Sequence, residues 1–203
     1  MTPKRFIILF LIFINASAIT ICTAQSENNL DSIQQTEHLK FIVEKSAINK
    51  SSWLQPYRFQ DKNLKTLAVK IIIKRISDKN NSVDFNLFTL VDESKKLRTR
   101  PSGVYYPKGD KKKYLKSKPI NKNYNSFKET TIEGFQNFEA ETYKINFLGL
   151  KKKKEKPSIK SLKKLTIKSK NSSYFIDFPV QEGFTYGKIY YKGKPIGFAA
   201  VKN

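Results

Sequence analysis

LKTLAVKIIIKRISDKNNSVDFNLFTLVD, residues 64 to 92, decides the fold class, because two apolar runs with strand periodicity flank one polar break. Leu67, Val69, Ile71 and Ile73 recur at period two, with Ala68, Lys70 and, after Ile73, Lys74 on the other parity, the pattern of a strand with one buried and one wetter face. Ile72 interrupts that alternation. The side chains of Ser77, Asp78, Lys79, Asn80 and Asn81 can close a turn locally, so the stretch reads as a long hairpin whose second strand resumes at Val83. Apolar parity then runs through Val83, Phe85 and Leu87 and shifts to Phe88 and Leu90, which predicts a bulge or bend near residues 86–88.

Outward from this stretch, strand patterns continue on both sides. Residues 39–47 alternate as an opening strand, and residues 49–63 form a loop holding Trp53, Pro56, Tyr57 and Phe59. After a turn at 93–96 and a short continuation at 97–100, Pro101, Gly103, Pro107 and Gly109 punctuate what reads as a surface excursion around Val104, Tyr105 and Tyr106. Residues 127–141 allow one helical turn or a loop crossover, since Ile132 and Phe135 stand three apart. Further strands are expected at 143–150, 162–168 and 174–180, the last ending at a sheet edge at Pro179. Residues 187–191 and 194–201 pair as a hairpin through Lys192 and Gly193. Many short alternating segments with little helical period predict an all-β chain folded as an antiparallel β-sandwich.

The N-terminus predicts the compartment. Lys4 and Arg5 precede the apolar run 6–14 and then a region of small and polar residues, the three parts of a secretory signal peptide over residues 1–24. Cys22, Thr23 and Ala24 suit a cut before Gln25, and Ala16, Ser17 and Ala18 offer a second site. Ile21 before Cys22 disfavours lipidation, and Asn15, Ser17 and Thr20 break the run as a membrane anchor, so no transmembrane helix is expected in the mature chain. Residues 25–38 read as a polar tether and 39–203 as the folded domain, in a periplasmic or extracellular, envelope-associated setting. A cut after Ala24 removes the one cysteine, so packing alone must hold the fold.

The formal net charge is +22, with 39 basic against 17 acidic side chains. Seventeen of the basic residues fall in two windows, 108–122 and 151–170. Lys111, Lys112, Lys113 and Lys116 in the first, and Lys151, Lys152, Lys153, Lys154, Lys163 and Lys164 in the second, are the candidate anion-binding residues. Trp53, Tyr114 and Tyr124 are candidate stacking residues beside them. Clustered lysines with aromatics can grip a polyanion through counterion release and stacking. The same lysines can equally be solvated loop insertions that keep an exported β-protein soluble, and an A- and T-rich coding sequence would raise Lys, Asn, Ile, Phe and Tyr together. No arginine fork or nucleic-acid motif accompanies them.

Catalytic and cofactor chemistry finds little footing. His38 is the only histidine, so a Ser-His-Asp triad lacks corroboration and a zinc site lacks ligands. Glu129, Glu133, Glu139 and Glu141 balance neighbouring lysines, and the glycines are not spaced as a phosphate-binding loop before a helix. Neither an enzyme nor a cofactor-binding protein is expected.

The order of strand, long hairpin, glycine and proline excursion and the terminal SYFIDFPVQEGFTYGKIYYKGKPIG resembles the small secreted immunoglobulin-like domains of unassigned function in bacterial exported proteins. Phe88, Leu90 and Asp92 carry the pattern's first step, and the strand end at Pro179 carries its second, over roughly residues 39–201. The resemblance implies an immunoglobulin-like β-sandwich with lysine-rich insertions and transfers no catalytic residue. The function expected is an exported, noncatalytic binding or envelope-associated structural module, with an unknown protein or an anionic envelope polymer as partner. The alternative is an anion-binding module for acidic glycan, lipopolysaccharide or extracellular nucleic acid.

Overall fold

Period-two apolar sequence becomes strand almost wherever the structure, a computed structural model, describes the chain: residues 38–49, 55–79, 81–108, 111–120, 132–146 and 156–201. The expected signal peptide, residues 25–37 of the tether, Trp53, Tyr124 and Lys151, Lys152, Lys153 and Lys154 lie outside the described residues. In chain order the first strands are β1 (Leu39–Ile48), β2 (Tyr57–Phe59), β3 (Lys65–Arg75), β4 (Ser82–Val83) and β5 (Phe88–Asp92). They continue with β6 (Leu97–Thr99), β7 (Gly103–Lys108), β8 (Lys111–Tyr114), β9 (Ser117–Pro119), β10 (Gln136–Phe138) and β11 (Thr142–Lys144). The last are β12 (Lys160–Leu162), β13 (Leu165–Thr166), β14 (Asn171–Val180), β15 (Tyr186–Tyr191) and β16 (Lys194–Ala200). No α-helix occurs among the described residues.

Two five-stranded sheets carry the fold, in the orders β1-β3-β14-β7-β8 and β10-β6-β5-β15-β16. Every neighbouring pair is antiparallel except β10 beside β6. Three two-stranded ladders, β2–β11, β9–β12 and β4–β13, complete the sheets among the described residues. Leu67, Val69, Ile71 and Ile73 are fully buried and share one core with Phe41, Ile176 and Phe178 of their own sheet and Phe88, Leu90, Ile189 and Ile196 of the other. Phe41 joins the sheets directly, edge-on to Phe88 with ring centres 5.6 Å apart and 4.6 Å from Tyr191. At one side the sheets meet along a seam, where the Ser46 hydroxyl donates to the Ala200 carbonyl at 2.7 Å and accepts from its N–H at 2.9 Å.

The stretch 64–92 is not a hairpin. β3 pairs with β1 and β14, whereas β5 pairs with β6 and β15 in the other sheet. Between them the chain makes β4 and then a single 3-10 turn, Phe85–Leu87, whose start is capped by the Asp84 carboxylate accepting from the Asn86 N–H at 3.0 Å. That turn is the irregularity that the parity shift predicted, and it lets Phe88 and Leu90 face the core from the opposite sheet.

Other expectations need correction for similar reasons. The segment around Val104 and Tyr105 is β7, inside the first sheet, not a surface excursion. Gly103 is there for close approach: a Cβ would lie 2.8 Å from Tyr57 Cε1. Part of the first lysine window forms β8 and β9 rather than a loop insertion. Within 132–141 the regular element is β10, with no helical turn. The expected strand at 162–168 is divided between β12 and β13. Pro179 lies within β14, the middle strand of its sheet, but beyond the three positions that pair with β7, so its missing N–H leaves no ladder bond unmade on that side. The closing hairpin β15–β16 stands as expected, turning at Lys192 (φ 51°) and Gly193 (φ 73°).

Candidate functional site

Alternation along β14 sends Ile176 and Phe178 into the shared core and Phe175 and Asp177 to the opposite face of the sheet. Phe175 stacks flat on Tyr105, ring centres 4.8 Å apart. Asp177 is fully buried there, an unusual position for a carboxylate. The Tyr57 hydroxyl donates to its Oδ2 at 3.0 Å, and the Gln55 amide reaches the same oxygen at 3.5 Å. Oδ1 has no hydrogen-bond partner among the described residues. Burial pushes the carboxyl up to about 7, against the opposing pull of Tyr57, Gln55 and the Lys112 ammonium. The same burial and the nearby carboxylate hold the Tyr57, Tyr105 and Tyr114 phenols above their ordinary range.

This buried cluster backs an open, basic cleft. Ser102 N–H and Oγ both donate to the Asp177 carbonyl, at 2.8 and 3.0 Å, and the Ser102 and Tyr57 hydroxyls lie 3.0 Å apart. Tyr57 and Ser102 also line the cleft, which holds about 410 Å³ between the β2–β11 and β9–β12 ladders. The two ladders are tied where Thr142 and Ser158 exchange backbone hydrogen bonds of 3.0 Å. Lys116, Lys118, Lys144 and Lys160 line the cleft, and its described lining contains no carboxylate and no arginine. A second cleft of about 340 Å³ adjoins it, lined by Lys116, Lys118, Ser161, Leu162 and Lys163.

The sequence-predicted residues are distributed unevenly around this arrangement. Lys116 and Lys163 reach the clefts. Lys164 pairs with Asp84 at 3.4 Å, and the Lys112 ammonium lies 4.9 Å from the centre of the Tyr105 ring. Lys113 is exposed on β8, away from both clefts, and Lys111 begins that strand opposite Lys108. Tyr114 is half-buried, edge-on to Tyr57 at 6.4 Å and 5.1 Å from Tyr105, so its ring belongs to the Asp177 cluster. Lys118, Lys144 and Lys160 were not among the predicted residues, and neither were Tyr57 and Asp177. The lone charge inside YFIDFPV was the available signal for Asp177.

The described residues contain no group of three or more His, Cys, Asp or Glu placed to hold a metal ion. Among them no helix is long and apolar enough to cross a membrane. Compared with family models, with curated proteins and with solved structures, the chain matches none.

Proposed function

We propose that this chain is an exported, noncatalytic binding module of immunoglobulin-like fold whose ligand is anionic and sits in the lysine-lined cleft. The observation that carries the reading is that Lys116, Lys118 and Lys144 line one concavity with no carboxylate among its described lining. Lysines gathered around a low-dielectric wall focus a positive potential that attracts anions and that salt screens. The net charge of +22 for the whole chain, +20 once Lys4 and Arg5 leave with residues 1–24, extends the same field over the surface and speeds capture. Export is supported by the basic, apolar and small-residue order of residues 1–24. The fold reading is supported by two sheets sharing one core and by the crossing of the chain from β3 to β5 between them.

The test is retention of the mature chain on immobilised anionic polymers over a salt series. Two variants accompany it, one with Lys116, Lys118 and Lys144 changed to Gln and one with Lys151, Lys152, Lys153 and Lys154 changed to Gln. Retention that falls steeply with salt, and collapses in the first variant while the second keeps most of it, supports the cleft. Equal losses in both variants would mean that net charge alone binds, and the proposal fails.

A further inference from the structure

The anion's class follows from how the two clefts are joined. Lys116 and Lys118 line both, so the segment that leads into and forms β9 borders two adjoining concavities. A volume of about 410 Å³ lies within the range of pockets that hold drug-sized molecules, roughly 300 to 1,000 Å³, far more than one phosphate or sulfate ion needs. Lys116, just before β9, and Lys118, within it, stand two residues apart, so their Cα atoms are at most about 7 Å apart, a spacing suited to charges strung on a chain. Resting on the anion-binding reading, we propose that the occupant is a linear acidic polysaccharide, bearing carboxylate or sulfate groups, that crosses β9 and occupies both clefts.

The lining chemistry separates this ligand from the other polyanions. Single-stranded nucleic acid is held by exposed aromatic platforms on which bases stack. The one aromatic residue among the described lining of the two clefts is Tyr57, and its ring is buried under the Asp177 cluster. Phosphate chains favour the guanidinium fork, and no arginine is among the described lining of either cleft. Ser117 supplies a hydroxyl, and the Thr142 and Ser161 hydroxyls, which donate to the Ser158 carbonyl at 3.5 Å and to Asn86 Oδ1 at 3.4 Å, keep lone pairs that can accept, so the lining suits a hydroxylated sugar chain as well as its charges. Lysine ammonium groups, compact and freely rotating, neutralise such charges without demanding a fixed planar geometry.

The experiment measures affinity of the full mature chain by calorimetry at one fixed salt concentration. The probes are a uronate monosaccharide, oligouronates of increasing length, a sulfated oligosaccharide, inorganic tripolyphosphate and oligothymidylate. The expected result is affinity that rises with oligouronate length until both clefts are filled, and a roughly fivefold loss for each of Lys118→Gln, Lys144→Gln and Lys163→Gln. Lys163→Gln is the distinguishing variant, since Lys163 lines only the second cleft. It should weaken long oligosaccharides and leave short ones unchanged. A monosaccharide that binds as tightly as the oligomers, or tighter binding of oligothymidylate or tripolyphosphate, overturns the proposal while leaving the cleft an anion site. No cleft-dependent binding of any probe overturns both readings.

Discussion

Tyr57 donates its phenolic proton to Asp177 across 3.0 Å, and through that bond the short strand β2 is fastened to the middle strand of the first sheet. The bond also places the back wall of the basic cleft directly on a buried carboxyl group.

Asp177 should leave its mark on stability as a function of pH. Its carboxyl sits at about 7 in the fold and near 4 in the unfolded chain. Between those values the folded state keeps a proton that the unfolded state has shed, so stability falls as pH rises from about 4 to about 7 and stays low above. The full difference is on the order of 4 kcal/mol. Asp177→Asn should lose most of that slope, and urea unfolding at pH 5 and pH 8 should show the variant gaining on the parent at the higher pH. Parallel losses at both pH values would refute a neutral carboxyl in the fold.

Tyr57→Phe removes the donor that lowers the Asp177 carboxyl. Its titration, followed by carbon NMR of the side-chain carboxyl, should then move above 7 rather than towards 4. A downward shift would mean that another donor dominates.

Asn86 acts as a substitute strand for β12. Its Oδ1 accepts from the Leu162 N–H at 2.7 Å and its Nδ2 donates to the Leu162 carbonyl at 2.8 Å. Asn86→Ala leaves both backbone groups buried without their partner, at a cost of about 3 kcal/mol. Because Ser161 and Leu162 line the second cleft, the same variant should weaken anion retention at temperatures where it is still folded. Thermal unfolding beside retention on the anionic polymer checks both halves.

Gly197 lets β16 approach β1. A Cβ at this position would lie 2.7 Å from Val43 Cγ2 and 2.9 Å from Val43 Cβ, and φ is +152°. Gly197→Ala should destabilise the domain by about 1 to 3 kcal/mol, measured by denaturant unfolding. The double variant Gly197→Ala with Val43→Ala should recover part of the loss if the clash, and not only the backbone angle, is the cause.

Strand identity was legible where apolar residues alternate, as along Leu67 to Ile73, and where Lys192 and Gly193 offered a two-residue turn. Partnership was not, because period two names the face a residue occupies and says nothing about which strand lies beside it. The parity shift at Phe88 was visible, yet its meaning, a change of sheet, depends on β14 and β15 some ninety residues further on. Val104 and Tyr105 looked like loop residues because Gly103 and Pro107 flank them, and only the Tyr57 ring explains why that glycine is needed inside a sheet. The cleft was legible in part. Lys116, Lys118, Lys160 and Lys163 belong to the dense windows, but Lys144 lies outside them and is brought in by the ladder β2–β11, which joins distant segments.

The position of β3 between β1 and β14 sets an order of events for the chain as it forms. Every residue from Lys65 to Lys74 waits for a partner between Asn171 and Val180, so the sheet's centre closes only when the C-terminal quarter arrives. Pairing across such a separation is slow, since the loop must be closed before any contact rewards it. A chain delivered N-terminus first therefore carries the apolar stripe of Leu67, Val69, Ile71 and Ile73 with β1 as its only possible neighbour. For that interval, restraint against self-association falls to the lysines interleaved with it.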